Sequence, residues 1–167
     1  MDTITASFTY EPGEFARGLR RVLARRHRAR FDSLIAALFV VFGGYLSATH
    51  GFSLLAALLC GVGAAFGGLL AYGVLIVPVL VERSHSKLRE PYTLTFSRDD
   101  IHFQTPTIDS RLEWSLYHSW AEDDEFLYLF HGKREVSIVP WRGFAIDADR
   151  TALRELVAAR VDAGNAD

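Results

Sequence analysis

Three histidines and a set of nearby carboxylates are the residues of this chain whose types could support acid–base or metal chemistry. His102, His118 and His131 lie after residue 100. The carboxylates near them in sequence are Asp99, Asp100, Glu113, Glu122, Asp123, Asp124 and Glu125. No two histidines have a spacing typical of zinc ligands, such as His-x-x-x-His or His-Glu-x-x-His. The sequence therefore predicts no catalytic residue, no metal site and no cofactor.

The other reactive side chains favour structural roles. The acidic run 122–125 lacks the glycine and the ligand spacing of an EF-hand loop, which favours a solvated turn. No serine lies in the Gly-x-Ser-x-Gly pattern of a nucleophile elbow. Cys60 is the only cysteine, so an intrachain disulfide is excluded and a small buried apolar residue is predicted.

The tryptophans are candidates for a binding surface. On a continuous strand, Trp114 and Trp120 would share one face and Tyr117 would lie on the other. We expect Trp114 to lie in the core. Trp120 and Trp141 lie at predicted strand ends, so they are candidates for contact with lipid headgroups or a partner protein.

A long uncharged segment indicates how the chain is anchored. Residues 33–81 contain no Lys, Arg, Asp or Glu. About 20 apolar residues cross the hydrocarbon core as a helix. A turn at 49–51 divides the segment into two predicted spans, Asp32–Ala48 and Phe52–Val77. The first span begins too late for a signal peptide, and the stretch 33–81 offers no charged carriers for a proton or ion pathway.

Positive charge flanks both spans and predicts their orientation. The flanking basic residues are Arg17, Arg20, Arg21, Arg25, Arg26, Arg28 and Arg30 before the first span, and Arg83, Lys87 and Arg89 after the second. The connecting turn carries no Lys or Arg. This asymmetry predicts a multi-pass protein of the cytoplasmic (inner) membrane with both termini in the cytoplasm.

Small residues recur along the second span. Gly63, Gly67 and Ala71 are four residues apart and share one helix face, which allows close helix packing in lipid. Packing within the hairpin is the simpler interpretation, and a homodimer or another membrane protein is the alternative. Pro78 is predicted to kink or end the second helix.

The N-terminal arm combines a strand with a basic helix. Ile4, Ala6, Phe8 and Tyr10 alternate with polar residues, and we expect this strand to pair with the sheet of the C-terminal domain. The helix that follows carries an apolar stripe of Phe15, Leu19, Val22 and Leu23. Its arginines are candidates for lipid-headgroup or partner contact, namely Arg17, Arg20, Arg21, Arg25 and Arg28. A generic positive flank explains them more simply, and nucleic-acid binding is not predicted.

The C-terminal region is predicted to form a small antiparallel sheet followed by a helix. The predicted strands lie near 92–96, 101–103, 112–116, 125–131 and 135–139, with a turn at 131–134. Asp147 or Asp149 can cap the helix. Its apolar stripe consists of Leu153, Leu156, Val157 and Val161.

These patterns resemble the YcxB-like family of small bacterial membrane proteins. The resemblance rests on the strand meander, the segment from Trp114 to Trp120, the run 138–141 with Phe144, and the final helix. It implies a cytoplasmic part similar to a pleckstrin-homology-like sheet with a capping helix. The family carries no established activity, so no site residue is transferred from it.

The combined prediction is an α+β membrane protein with three regions. Residues 1–31 form the strand and basic amphipathic helix, 32–81 a transmembrane helical hairpin, and 91–163 the cytoplasmic sheet and helix. The expected function is a membrane-anchored interaction or sensing module without catalysis. The alternative is a membrane-surface enzyme that uses His118 or His102 with neighbouring carboxylates. The bilayer is the expected partner.

Overall fold

The computed structural model describes residues 3–25, 27–51, 53–132 and 135–161, without the side chains of 27–30. The predictions that involve Arg26, Phe52, Lys133, Arg134 and residues 162–163 lie outside this part. The chain divides into two compact units. The helix unit is Leu19–Val81, and the sheet unit contains the described residues up to Gly18 and from Glu82 onward.

Helices account for nearly all of the helix unit. Their bounds are α1 Glu14–Arg25, which begins in the sheet unit, α2 His27–His50, α3 Leu54–Leu75, and α4 Val77–Ser84, which ends in the sheet unit. The turn between α2 and α3 starts at Gly51, two residues later than predicted, because Thr49 and His50 continue α2. The helix break before Pro78 confirms the predicted effect of this proline.

Two helical segments are long and apolar enough to cross a membrane. They are Phe31–His50 and Leu54–Ser84. Within the most apolar window of each segment, only 11% and 6% of the residues, respectively, are buried. The core helices of a soluble protein would be mostly buried. Large side chains such as Leu34, Val41 and Leu54 are instead more than half exposed, so the described part of the chain does not cover these apolar surfaces.

The sheet unit contains two antiparallel sheets. The first has the order β1 Ile4–Phe8, β2 Tyr92–Phe96, β3 Asp100–Gln104 and β4 Asp109–Glu113. The second has the order β5 Tyr117–Glu122, β6 Phe126–His131 and β7 Glu135–Pro140. The last helix, α5, spans Asp147–Arg160. The α+β class is thus confirmed, whereas the expected single sheet is wrong.

A short 3₁₀ turn explains why there are two sheets. Trp114–Leu116 interrupts the predicted third strand, and the chain enters the second sheet after it. The Trp114 indole N–H donates to the Ser97 carbonyl at 3.0 Å, and the ring is buried, as predicted. Tyr117 is also buried, with its ring 6.5 Å from that of Trp114. The prediction that these two rings lie on opposite faces is therefore wrong.

The predicted pairing of the N-terminal strand is confirmed. β1 pairs antiparallel with β2, with Ile4 opposite Phe96 and Phe8 opposite Tyr92. Ile4, Ala6 and Phe8 are buried while the residues between them are exposed. A strand that precedes the apolar helices in sequence thus forms the edge of a sheet built from residues beyond them.

Helix α5 packs its predicted stripe into the core. Leu153, Val157 and Val161 are buried in the same cluster as the strand residues, which confirms the stripe. The predicted cap is wrong, because Ile146 occupies the N-cap position and makes no side-chain cap bond. Asp147 and Asp149 lie in the first turn, where a negative charge still interacts favourably with the helix dipole.

Candidate functional site

The sheet unit contains an apolar cavity of about 180 Å³ lined by strands of both sheets. Its fully buried walls include Phe96, Ile101 and Leu129. Its half-buried walls are mainly apolar as well, and include Phe15, Leu88, Tyr92, Phe103 and Leu112. Because these latter residues keep part of their surface in solvent, the cavity opens to the outside rather than being a sealed void.

One small residue helps to explain the free space. Ser137 lines the cavity and lies opposite Leu129 in the register of β6 and β7. Side chains of directly opposed residues project to the same face of an antiparallel pair, so Ser137 shares the core-facing side with Leu129. A serine where neighbouring positions carry large apolar residues leaves volume unfilled.

Three tyrosines in the cavity wall have raised pKa values. Burial is the main cause for Tyr10, Tyr92 and Tyr117, and the bond between Tyr117 and Ser137 partly opposes it. The Tyr10 hydroxyl donates to the Ile138 carbonyl. The Tyr92 hydroxyl donates to the Lys87 carbonyl at 3.0 Å. The phenols therefore stay neutral at physiological pH and add polar but uncharged groups to an apolar wall.

A second, more polar cleft of about 160 Å³ adjoins the cavity, because Tyr10 and Leu88 line both. The exposed residues Arg83 and Arg89 also line this cleft. Glu82 lies there too, but its two carboxylate oxygens accept hydrogen bonds from the Gly13 and Ala16 amides, at 2.5 and 2.8 Å. Its negative charge thus stabilises the first turn of α1.

An ion pair connects the N-terminal arm to the C-terminal region of the sheet unit. The Arg142 guanidinium donates to the buried Glu14 carboxylate at 2.6 and 2.8 Å and to the Thr9 carbonyl at 2.6 Å. Burial alone would raise the pKa of the Glu14 carboxyl. The bonds from Arg142 and the Glu11 amide, with the charges of Arg142 and Arg17, outweigh burial and lower it.

The predicted headgroup arginines differ in their local surroundings. Arg17 lies 3.7 Å from the Glu125 carboxylate, and Arg20 donates to the Leu75 carbonyl at 2.9 Å. Arg21 is half-buried and Arg25 is exposed. The side chain of Arg28 lies outside the described part of the structure. A lipid contact by these residues stays a prediction.

The two predicted contact tryptophans differ in burial. Trp141 is 3% exposed, its indole N–H donates to the Asp123 carbonyl at 2.9 Å, and the Arg154 guanidinium lies 5.1 Å from its ring centre. It therefore has little surface to offer a partner. Trp120 is half-buried, and its buried indole N–H has no hydrogen-bond partner among the described residues. A contact role stays a prediction for both.

Within the helix unit, two of the three predicted packing residues lie against α2. A Cβ atom at Gly63 would lie 2.8 Å from the Val40 side chain and 2.9 Å from the Ala36 carbonyl oxygen, whereas one at Gly67 would lie 3.7 Å from the Ala36 Cβ. Gly67 and Ala71 line an open apolar groove next to this contact. The geometry corresponds to packing within the hairpin.

Two of the three candidate histidines lie next to carboxylates. The His102 Nε2 lies 2.6 Å from the Asp109 carboxylate, on neighbouring strands β3 and β4. That bond lowers the pKa of Asp109. His131 lies 3.2 Å from Glu135, and His118 is exposed. Within the described ranges, no three His, Cys, Asp or Glu side chains are grouped so that they could hold a metal ion.

Sequence reasoning did not identify the cavity or the cleft. The residues that line the cavity are the alternating apolar positions that predicted the strands. Nothing in their sequence pattern therefore distinguishes a residue that lines the cavity from one that is packed in the core. The one local signal is Ser137, a small polar residue at a core-facing position. The cleft joins residues near 10 and near 85, which only the fold brings together.

The fold defines a class of α+β proteins in which two apolar helices are inserted between the first strand of a sheet and the rest of its domain. Residues 96–157 match the family model described as YcxB-like protein, which confirms the predicted resemblance over that segment. The match extends from the last residue of β2 into α5. No curated protein matches the chain.

Proposed function

We propose that this protein is a membrane-anchored binding or sensing module of the inner membrane, with a pleckstrin-homology-like sheet unit in the cytoplasm. The observation that carries the proposal is the exposure of the two apolar helical segments, of which only 11% and 6% is buried within their most apolar windows. Such a surface is unfavourable in water and favourable in a bilayer.

The orientation rests on the distribution of positive charge. Arginines precede the first span and basic residues follow the second, while the residues that connect the spans include no Lys or Arg. Basic segments are retained on the cytoplasmic side. The sheet unit includes residues from both sides of the helix unit, so a two-span topology returns the chain to the compartment where its first strand lies.

A binding role, rather than catalysis, is supported by the cavity in the sheet unit. Open apolar cavities with a few polar groups are the usual form of ligand sites. Its titratable groups are phenols with raised pKa values, which suit hydrogen bonding more than proton transfer at neutral pH. Besides the bilayer, another membrane or cytoplasmic protein and a second copy of the chain are the candidate partners.

The alternative of a membrane-surface enzyme is favoured by one observation, the 2.6 Å contact between His102 and Asp109. A carboxylate that orients an imidazole is a common arrangement in general-base catalysis. However, the pair lies on strand residues whose side chains face away from the apolar cavity. His102→Gln would abolish an activity that depends on this base and would leave ligand binding in the cavity unchanged.

Membrane extraction tests the anchoring part of the proposal. The full chain should stay in the membrane pellet after alkaline carbonate treatment and should require detergent for release. Release by carbonate alone would contradict an integral anchor. A variant with Leu38 and Leu58 replaced by Arg provides the control, because both side chains are more than half exposed within the apolar segments and charge at that depth opposes insertion.

A further inference from the structure

We propose that the apolar cavity and the adjoining cleft bind one single-chain anionic amphiphile, such as a fatty acid or a lysophospholipid. This inference rests on the proposed function and names the ligand class of the module. The two spaces are neighbours, because Tyr10 and Leu88 line both. One space is apolar and the other carries arginines, so together they match an alkyl chain joined to a negatively charged head.

The cavity fits part of an alkyl chain. Its volume of about 180 Å³ is comparable to the roughly 150 Å³ apolar cavity that accepts benzene in another protein. The end of an alkyl chain of that size fills the free space without displacing a protein side chain. Its apolar surface is then removed from water. A diacyl lipid is too large, so the geometry selects a single chain, whose end would contact Phe103 and Leu112 in the cavity wall.

The cleft supplies the recognition of charge. Arg83 and Arg89 are exposed and line it. The nearby carboxylates are already engaged, because Glu82 accepts two amide bonds from α1 and Glu11 lies 4.0 Å from Arg142. Tyr10 stays neutral, since burial raises the pKa of its phenol. An anionic head at this position can therefore contact the exposed guanidinium groups of Arg83 and Arg89, while the Glu82 carboxylate is bonded to the amides of α1.

The position of Leu88 along the chain favours a ligand that comes from the membrane surface. Leu88 follows Ser84, the last residue of the second apolar segment, by only four residues. Four residues span at most about 14 Å. When the apolar segment is inserted in a bilayer, Leu88 in the cavity wall is therefore within reach of the headgroup region, where single-chain amphiphiles accumulate.

The test uses the full chain, labelled with ¹³C at its methyl groups, in phosphatidylcholine nanodiscs. We expect octanoate or monooctanoyl lysophosphatidylglycerol to cause saturable shifts at the Ile101 and Leu112 methyl groups. Tighter binding of the lysolipid would assign the ligand to the membrane, and tighter binding of octanoate would assign it to the free fatty acids. If neither titration saturates, the proposal is wrong.

Two variants separate chain recognition from charge recognition. Ser137→Phe fills the cavity and should weaken octanoate binding at least tenfold, whereas the same substitution at the exposed strand residue Ser7 should leave it unchanged. Arg89→Gln should weaken octanoate binding about fivefold but leave octanol binding unchanged. The inference is overturned if Ser137→Phe binds octanoate like the wild type, or if Arg89→Gln affects octanoate and octanol equally.

The failure of this inference is distinguishable from the failure of the proposed function. A chain that stays in the membrane after carbonate treatment and gives well-dispersed methyl spectra, but does not respond to either amphiphile, contradicts the ligand class alone. A chain that carbonate releases contradicts the membrane anchor, whatever its methyl groups bind. If Ser137→Phe does not fold, Arg89→Gln still decides the outcome, because Arg89 is exposed and outside the core.

Discussion

At the scale of single residues, the pair of Glu14 and Arg142 connects two parts of the sheet unit that are 128 positions apart in sequence. The carboxylate is buried and accepts three hydrogen bonds, two from Arg142 and one from the Glu11 amide. Its lowered pKa means that the folded state stabilises the ionised form of the Glu14 carboxylate more than the unfolded state does. The pair therefore stabilises the fold wherever Glu14 is ionised.

Glu14→Gln should lower the free energy of unfolding at pH 7 by about 1–3 kcal/mol, because an ionised hydrogen-bond acceptor is lost. In the wild type this contribution is complete above the unfolded glutamate pKa of about 4.3 and is lost as the pH falls through the lower folded value. Denaturant titrations between pH 3 and 7 measure both effects. Glu155→Gln, at an exposed position of α5, is the control, and equal pH profiles for the two variants would contradict the assignment.

Close helix contact at Gly63 gives a second residue-scale prediction. Gly63→Ala should destabilise the hairpin by about 1–3 kcal/mol, because the added methyl group would lie 2.9 Å from a backbone oxygen of α2 that cannot move aside. Gly68→Ala is the matched control, since nothing lies within 4 Å of its Cβ position, and alanine is the better helix former. Unfolding measured in mild detergent should show a lower stability for Gly63→Ala than for Gly68→Ala. Identical stabilities would show that α2 does not pack on the Gly63 face of α3.

Residue-scale prediction from the sequence succeeded where a pattern repeats. It failed where a single contact determines the local backbone conformation. The alternation of Ile4, Ala6 and Phe8 identified the buried face of β1 because a strand has a period of two. The bond from the Trp114 indole to the Ser97 carbonyl has no comparable pattern. It depends on a turn that brings two distant residues together, so the sequence predicted a continuous strand there.

At the scale of elements, β1 completes a sheet that the remaining strands cannot complete alone. The Phe8 ring stacks on Tyr92 at 5.5 Å and contacts Tyr10 edge-on at 5.2 Å. It also packs closely against Gly143, where a Cβ atom would lie 2.9 Å from the ring. Phe8 thus joins β1 to β2 and to the segment before α5.

Phe8→Asp should destabilise the sheet unit by more than about 3 kcal/mol, because it removes a buried ring and places a charge in the core. Ser7→Asp introduces the same charge one residue earlier at an exposed position and should change the stability by less than about 1 kcal/mol. Tryptophan fluorescence during denaturation reports on both, since Trp114 and Trp141 lie in this core. Equal midpoints for the two variants would mean that β1 does not pair as described.

The division into two sheets was the main element-scale feature that the sequence did not reveal. Leu112, Trp114 and Leu116 alternate as a strand would, yet Trp114–Leu116 is a 3₁₀ turn in which Trp114 is buried and Leu116 is exposed. Alternation specifies which side chains are apolar, not whether the backbone continues straight. The cavity depends on this division, because its walls come from both sheets.

At the scale of the whole molecule, the sheet unit depends on residues from both ends of the chain. A fragment of residues 91–167 lacks β1, Glu14 and Glu82, and we expect it to fold poorly because the edge of β2 and the ring of Phe96 lose their cover. Residues 3–18 joined by a flexible linker to 82–161 restore these contacts and should give a cooperative transition. Circular dichroism melting compares the two, and a well-folded 91–167 fragment would contradict this dependence.

The two-span topology is the remaining whole-molecule prediction, and it follows from the ten basic residues that flank the apolar segments, seven before and three after. On a background with Cys60 replaced by Ala, a cysteine at His50 should react with an impermeant maleimide in intact cells. A cysteine at Glu155, exposed in α5, should react only after permeabilisation, because α5 belongs to the sheet unit, which the positive-inside rule predicts to lie in the cytoplasm. The reverse pattern would place the cavity outside the cell, and reaction at neither position in intact cells would leave the hairpin without an external turn.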